Sequence, residues 1–150
     1  MTGQDGSRIV VGVDGSQSSQ EALEWAVRQA HCTGAAVEAV LAWHYPVSYG
    51  WVVTQEDPGL KELAGKVLAD AVSRVQPLAP DVTIRARVIE QNPAQALIDE
   101  AAGADLLVVG SRGHGGFVGA LLGSVSQHCV HHSPCPVVVI RGPADGQSTG

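Results

Sequence analysis

The sequence predicts an α/β fold, with a mostly parallel sheet covered by helices on both faces. Three observations carry this expectation. Short apolar, β-branched runs recur along the chain, as strands buried on both faces require. Segments with three- and four-residue apolar spacing alternate with them, the pattern of right-handed βαβ crossovers. A glycine-rich stretch follows the fourth run and leads into a helix, the usual setting of a phosphate-binding turn.

The elements follow in order. Residues 8–14, Arg-Ile-Val-Val-Gly-Val-Asp, form the first strand. Ser18-Ser-Gln-Glu21 reads as a capping box, and the helix behind it carries Ala22, Leu23, Ala26, Val27 and Ala30 on one stripe. Residues 37–43 form the second strand, and residues 44–56 a longer connection containing Pro46, Tyr49, Gly50 and Trp51. The second helix has the clearest period, with Leu60, Leu63, Ala64, Val67, Leu68, Ala71, Val72 and Val75 recurring at three- and four-residue steps. Pro77 and Pro80 stop it. Residues 82–89 alternate in part, with Arg85 and Arg87 facing one way, as on a solvated strand near the sheet edge. Pro93 suits a first helical position, with Leu97, Ile98, Ala101 and Ala102 behind it as a core stripe. Residues 105–110 are the fourth strand, 123–133 the fourth helix and 136–141 the fifth strand.

Composition narrows the functional classes. A chain of 150 residues, 45% of them apolar, makes one domain with a real core. The expected domain spans residues 8–141, and residues 1–7 and 142–150, poor in anchoring apolar side chains, are expected to be flexible tails. A net charge of −6, with nine scattered Lys and Arg residues, disfavours nucleic acid as a partner. No apolar run approaches the ~20 residues of a membrane span, and no signal-peptide pattern opens the chain. Cys32, Cys129 and Cys135 are odd in number and lack a CxxC spacing, which argues against a disulfide framework. The expected compartment is a reducing cytoplasm. Cys32 and Cys129, near apolar helix positions, read as small core residues.

The chemistry concentrates in two turns. Six of the 18 glycines fall between Gly110 and Gly123, so the clustering is local. Glycine lets a ligand approach the main chain closely, and successive N–H groups can then converge on an anion. The loop has no Gly-Lys-Ser/Thr sequence, and the chain's only lysines, Lys61 and Lys66, lie on the second helix. Arg112 is its one fixed cation, and His114 is expected to be neutral. Phosphate would therefore rest on backbone N–H groups, the Ser111 and Ser124 hydroxyls and the helix starting at Gly123. Asp14, in the turn Asp14-Gly-Ser16 after the first strand, shares the crevice if the first and fourth strands are neighbours. Beside phosphate its carboxylate calls for a divalent cation, so Mg²⁺ is implied. Its alternative role is that of a turn or capping residue.

Here the residues carry a family resemblance. Gly110-x₂-Gly113-x₉-Gly123-Ser124 resembles the ATP-binding motif of the universal stress protein family at every spaced position. Ile9-Val-Val-Gly-Val-Asp-Gly-Ser16, the run from Ala104 to Gly113 and Cys135-Pro-Val-Val-Val-Ile140 are similar to that family's first, fourth and last strands. The resemblance implies a Rossmann-like three-layer sandwich with a five-stranded parallel sheet in the order 3-2-1-4-5. It also implies ATP at the carboxyl ends of the first and fourth strands. Gly12, Val13 and Asp14 would line the adenosine side, Asp14 would face metal and phosphates, and Ala42 would border the adenine. Gly110, Arg112, Gly113, Gly115 and Gly116 would cover ribose and phosphates, with Gly123, Ser124 and Val125 at the helix start. One departure is Gln91, whose Cβ stands where the family often has glycine and bears on the adenine-side contact.

Other constellations are weaker. His128, His131 and His132 have helical i, i+3, i+4 spacing; two of them could chelate zinc, but no third ligand is identifiable, and a polar helix end is the expected reading. The apolar last strand needs its edge paired or covered, and a homodimer through residues 136–141 would do so, as the resemblance also implies. The leading expectation is an ATP-binding, stress-linked sensor with little or no catalysis, because no lysine reaches a γ-phosphate and no base is placed to activate water. The alternatives are a weak ATPase, with Asp14 on the metal and Arg112 stabilising charge, and a structural or chaperone-like dimer without nucleotide. Adenine nucleotides other than ATP remain open as ligands.

Overall fold

The computed structural model describes residues 7–43, 58–111 and 124–141. Five strands form a single sheet: β1 (Arg8–Gly12), β2 (Ala36–Trp43), β3 (Ile84–Glu90), β4 (Leu106–Gly110) and β5 (Val137–Ile140). Their order is β3-β2-β1-β4-β5 and every neighbouring pair is parallel. Among the described residues four α-helices lie between them: α1 (Gln17–Thr33), α2 (Pro58–Val75), α3 (Pro93–Glu100) and α4 (Ser124–His132). The result is the three-layer α/β sandwich that the alternating pattern predicts.

Alternation along each strand sorts side chains between two cores. Ile9, Val11, Val37 and Ala39 pack against α1 and α2 residues such as Leu23, Val27, Leu68 and Val75. Val10, Val40, Leu107 and Val109 face Leu97 of α3 and Cys129 of α4. Val10 and Val11 are both fully buried, on opposite faces of the central strand. Each such side chain contributes about 1.5–3 kcal/mol, which is why β1 reads as an unbroken apolar run. Burial also pushes the Cys129 thiol up to about 11.

Several expectations shift in detail. The capping serine of α1 is Ser16, whose side chain accepts from the Ser19 N–H, so the helix starts before the Ser18–Glu21 box. The turn decides this: Asp14 accepts from the Ser16 backbone N–H at 2.9 Å and from its hydroxyl at 2.6 Å, holding Ser16 in the cap position. Leu63 is 56% exposed because the buried stripe of α2 runs through Ala64, Leu68, Ala71 and Val75. Cys32 is exposed, since it lies off the α1 stripe that ends at Ala30. Ala102 is exposed because α3 stops at Glu100, leaving Ala101 as the buried cap. β3 is an edge strand as predicted, but it starts at Ile84, after a turn closed by the Val82 N–H on the Ala79 carbonyl.

A cluster of charge lies toward the amino ends of the strands. Glu38 on β2 is only 7% exposed. Arg8 reaches it at 3.3 Å and also donates to the carbonyls of Glu100 and Ala102, at 2.9 Å each, past the end of α3. Arg87 pairs with Glu100 at 2.7 Å and stands 3.6 Å from Glu38. Arg87 is therefore part of a network spanning β1, β2, β3 and α3, whereas Arg85 keeps the exposed position expected of it. Desolvation, followed by the neighbouring Glu100 carboxylate, holds the Glu38 carboxyl above its usual range despite the two arginines.

Candidate functional site

At the carboxyl ends of β1, β2 and β4 the sheet opens into a cleft. β1 continues beyond its last residue through the Val13 N–H, which donates to the Val40 carbonyl at 2.8 Å. Gly15, at φ 86°, then turns the chain into α1. On the other side β4 runs to Gly110, and the Ser111 N–H bonds the Ile140 carbonyl at 2.9 Å. The order reverses here: β1 pairs with β2 on one side and β4 on the other. An open parallel sheet offers its ligand site at such a place.

The cavity between these ends has a volume of about 260 Å³. Gly12, Val13, Asp14, Ala42, Gly110 and Val125, all singled out from the sequence, line it. Ser111 does not; it is 6% exposed and continues the β4–β5 pairing instead. Ser124 begins α4 in an exposed position outside the lining, while Val125 and the buried Ser126 on the next positions face the cavity. Arg112, Gly113, His114, Gly115, Gly116 and Gly123 lie outside the described residues.

Six further lining residues were not singled out. Val40 and Val109 sit on the same strands as Ala42 and Gly110, and Ser19 and Ser126 lie in the first turns of α1 and α4. Pro93 and Leu97 come from α3, which the sequence placed only as a helix. Their signal was present in part. Asn92-Pro93 marks a helix start, because the Asn92 side chain accepts from the Gln95 N–H at 3.2 Å and Pro93 occupies the first turn. Leu97 lies one turn further along, on the sheet-facing side.

Two glycines are fixed by packing as well as by access. A Cβ at position 12 would lie 2.8 Å from a Leu97 methyl. One at Gly110 would lie 2.8 Å from the Ser18 backbone and closer still to its hydroxyl. The first turn of α1 therefore rests directly on the end of β4, which brings the Asp14–Ser16 turn and Gly110 to one cleft.

The polar groups have defined jobs. Asp14 is exposed and lines the cavity, and its bonds to Ser16 realise the turn role that the sequence left open beside the metal role. Ser19 is buried; its hydroxyl donates to the Ser16 carbonyl and accepts from the Asp14 N–H, at 3.1 and 3.2 Å. Gln91 is not among the lining residues. Its amide donates to Asp99 at 3.0 Å and that of Gln95 does so at 2.9 Å, which keeps the Asp99 carboxyl below its ordinary range. Among the described residues no group of three or more His, Cys, Asp or Glu could hold a metal ion. None of the described helices is long and apolar enough to cross a membrane.

An open parallel sheet, helices on both faces and a cleft where the strand order reverses define a doubly wound α/β protein. The sequence model of the universal stress protein family matches residues 7–141, and the chain belongs to that family. It is 39% identical over 142 residues to a universal stress protein of Mycobacterium tuberculosis, covering 91% of this chain and 44% of the relative. One from Mycolicibacterium smegmatis is 36% identical over 138 residues, covering 89% and 45%. The chain thus spans less than half the length of these curated relatives. Among solved structures, the universal stress protein UspA from Lactobacillus plantarum superposes with a TM-score of 0.73 at 27% identity, covering 90% of this chain and 97% of that one. A universal stress protein in complex with cAMP does so with a TM-score of 0.71 at 29% identity, covering 90% and 96%.

Proposed function

We propose that this chain binds an adenine nucleotide in the cleft between β1 and β4 and acts as a nucleotide-dependent sensor with little or no catalysis. The observation that carries this reading is the cleft itself: an apolar pocket at the switch point of the sheet, bordered by the first turns of α1, α3 and α4. Its volume of about 260 Å³ is close to the lower end, roughly 300 Å³, of ordinary ligand sites. That suits a base and sugar, with the phosphates extending toward the loop after Gly110. Val40, Ala42, Pro93 and Leu97 offer the apolar walls a planar base needs. The cAMP complex of a 29% identical family member supports adenine as the base.

ATP with Mg²⁺ is the specific form of the proposal. Ser111 N–H and its hydroxyl are engaged or buried within the sheet, so phosphate would rest on the backbone of residues 112–116, Gly123 and Ser124. Asp14 at the mouth, already holding two donors, is the carboxylate that would meet the metal. Residues 8–141 form the working domain in this reading, with the cytoplasm as its compartment. β5 stands at the sheet edge, its four residues half-buried. Pairing of residues 136–141 with a second copy would complete that edge. A second reading, slow ATP hydrolysis, rests on Asp14 lying at the cleft mouth, with Arg112 following the lining residue Gly110 two positions later in sequence.

Calorimetry with ATP, AMP and cAMP, with and without Mg²⁺, tests the proposal. The expected result is saturable binding of ATP that Mg²⁺ strengthens and that Ala42→Trp, by filling the cleft, abolishes. Absence of binding by all three nucleotides would overturn it. Multiple-turnover phosphate release that disappears in Asp14→Ala would favour the hydrolytic reading. Sedimentation showing only monomer at micromolar concentration would overturn the β5 dimer.

A further inference from the structure

The carboxyl-terminal end of α4 carries imidazoles that the cleft does not use. His128, His131 and His132 are all exposed. His128 and His132 stand one helical turn apart, on one face, with ring centroids 4.5 Å apart and planes inclined by 38°. His131 lies farther off, 6.4 Å from His132 and edge-on to it.

The spacing of the first pair is informative. A metal bound through imidazole nitrogen at about 2.0–2.1 Å lies about 3.2 Å from each ring centroid. Two such rings at a right angle about the metal then have centroids about 4.5 Å apart, and at a tetrahedral angle about 5.2 Å. The observed centroid separation of 4.5 Å allows the right-angle arrangement. Right-angle nitrogen pairs belong to tetragonal ions, and among divalent first-row metals Cu²⁺ binds such donors most tightly.

We infer that His128 and His132 form a two-imidazole chelate for a tetragonal divalent transition metal of the Cu²⁺ class, with water or an outside ligand at the remaining positions. The setting favours a cation. His132 lies in the last turn of α4, where the helix dipole is negative, on a chain of net charge −6. Cys129, between them in sequence, is fully buried against the sheet and takes no part. A site of two protein ligands leaves its other positions to water or an outside ligand, which makes it exchangeable.

The test is titration of the untagged full chain with CuCl₂, read by calorimetry and by electron paramagnetic resonance. The expected result is one Cu²⁺ per chain with two coordinated nitrogens. His128→Gln and His132→Gln should each weaken binding by about tenfold or more, and His131→Gln should leave it within about twofold. Far-UV circular dichroism without metal confirms that each variant folds, which the exposure of all three rings favours. Copper binding unchanged in His128→Gln and His132→Gln, equal damage from His131→Gln, or Zn²⁺ outcompeting Cu²⁺ would overturn the assignment.

Discussion

At the carboxyl ends of the strands the side chains around the cavity are, apart from Asp14, small, apolar or hydroxylic. Toward the amino ends, Arg8, Glu38, Arg87 and Glu100 tie three strands and a helix together through charge. The two regions share α3, which presents Pro93 and Leu97 to the cleft from its first turns and is held past its last turn by Arg8. The contrast shows how a doubly wound sheet divides its labour. Ion pairs and side-chain bonds to carbonyls gather at one end of the sheet, and bare glycine and short side chains at the other.

The sharpest way to break this division is at Gly110, where cleft and frame coincide. Gly110→Val would drive a side chain into the Ser18 backbone, and neither β4 nor the first turn of α1 can yield without moving the other. Overpacking there should destabilise by about 3 kcal/mol, seen as a lower urea midpoint at unchanged slope. Nucleotide affinity should fall with it. A Gly110→Val protein as stable as the wild type would mean that the contact between α1 and β4 is not tight.

Arg8→Ala separates the two regions. It removes one ion pair and two bonds to carbonyls at the end of α3, leaving the half-exposed Arg87 as the remaining cation beside the buried Glu38 among the described residues. A loss of about 2 kcal/mol is expected, set mainly by polar groups left without partners. Nucleotide affinity measured well below the melting temperature should change little, because the cleft lining is untouched. An affinity loss as large as that of Ala42→Trp would show that the charged end governs the cleft through α3.

Ser16→Ala probes the opposite side. The serine caps α1 and also holds Asp14, so its removal should cost about 1 kcal/mol of stability. If Asp14 meets the metal of a bound nucleotide, the Mg²⁺ dependence of binding should weaken more than stability does. An unaltered Mg²⁺ dependence would leave Asp14 with its turn role alone.

The two regions were unequally legible. The frame was visible because buried parallel strands must be apolar throughout: the runs at Ile9–Val11 and Leu106–Val109 have no other ready explanation. The turn after β1 and the switch at Gly110 follow from those strands. The walls contributed by α3 were not visible as cleft residues, since Leu97 reaches Gly12 across 85 residues of chain and only the closed sheet brings them together. The cap was misplaced because Ser16, Ser18 and Ser19 all offer a hydroxyl, and the choice among them lies in the φ and ψ of Ser16 and in its bonds to Asp14. Glu38 was overlooked for a related reason. In Ala-Val-Glu-Ala-Val it looks like an isolated polar break, and its partners come from β1, β3 and α3.

Glu38 also gives the smallest and most discriminating prediction. Its carboxyl is held above the usual range by desolvation first and by Glu100 second, so the folded state takes up its proton more readily than the unfolded chain. The stability it contributes is therefore full below its ordinary value of 4.5 and is lost as pH rises through the elevated folded value. Glu38→Gln keeps the size and one acceptor while removing the titration. Between pH 4.5 and 7 the variant should lose less stability than the wild type, and at pH 7 it should lie within about 1 kcal/mol of it, on the stable side if desolvation outweighs the arginines. Urea midpoints across that interval measure the difference. A Glu38→Gln protein that loses stability steadily relative to wild type as pH rises would mean that the arginines dominate, and the amino end would then be held by attraction to an ionised Glu38 instead of by packing around a costly one.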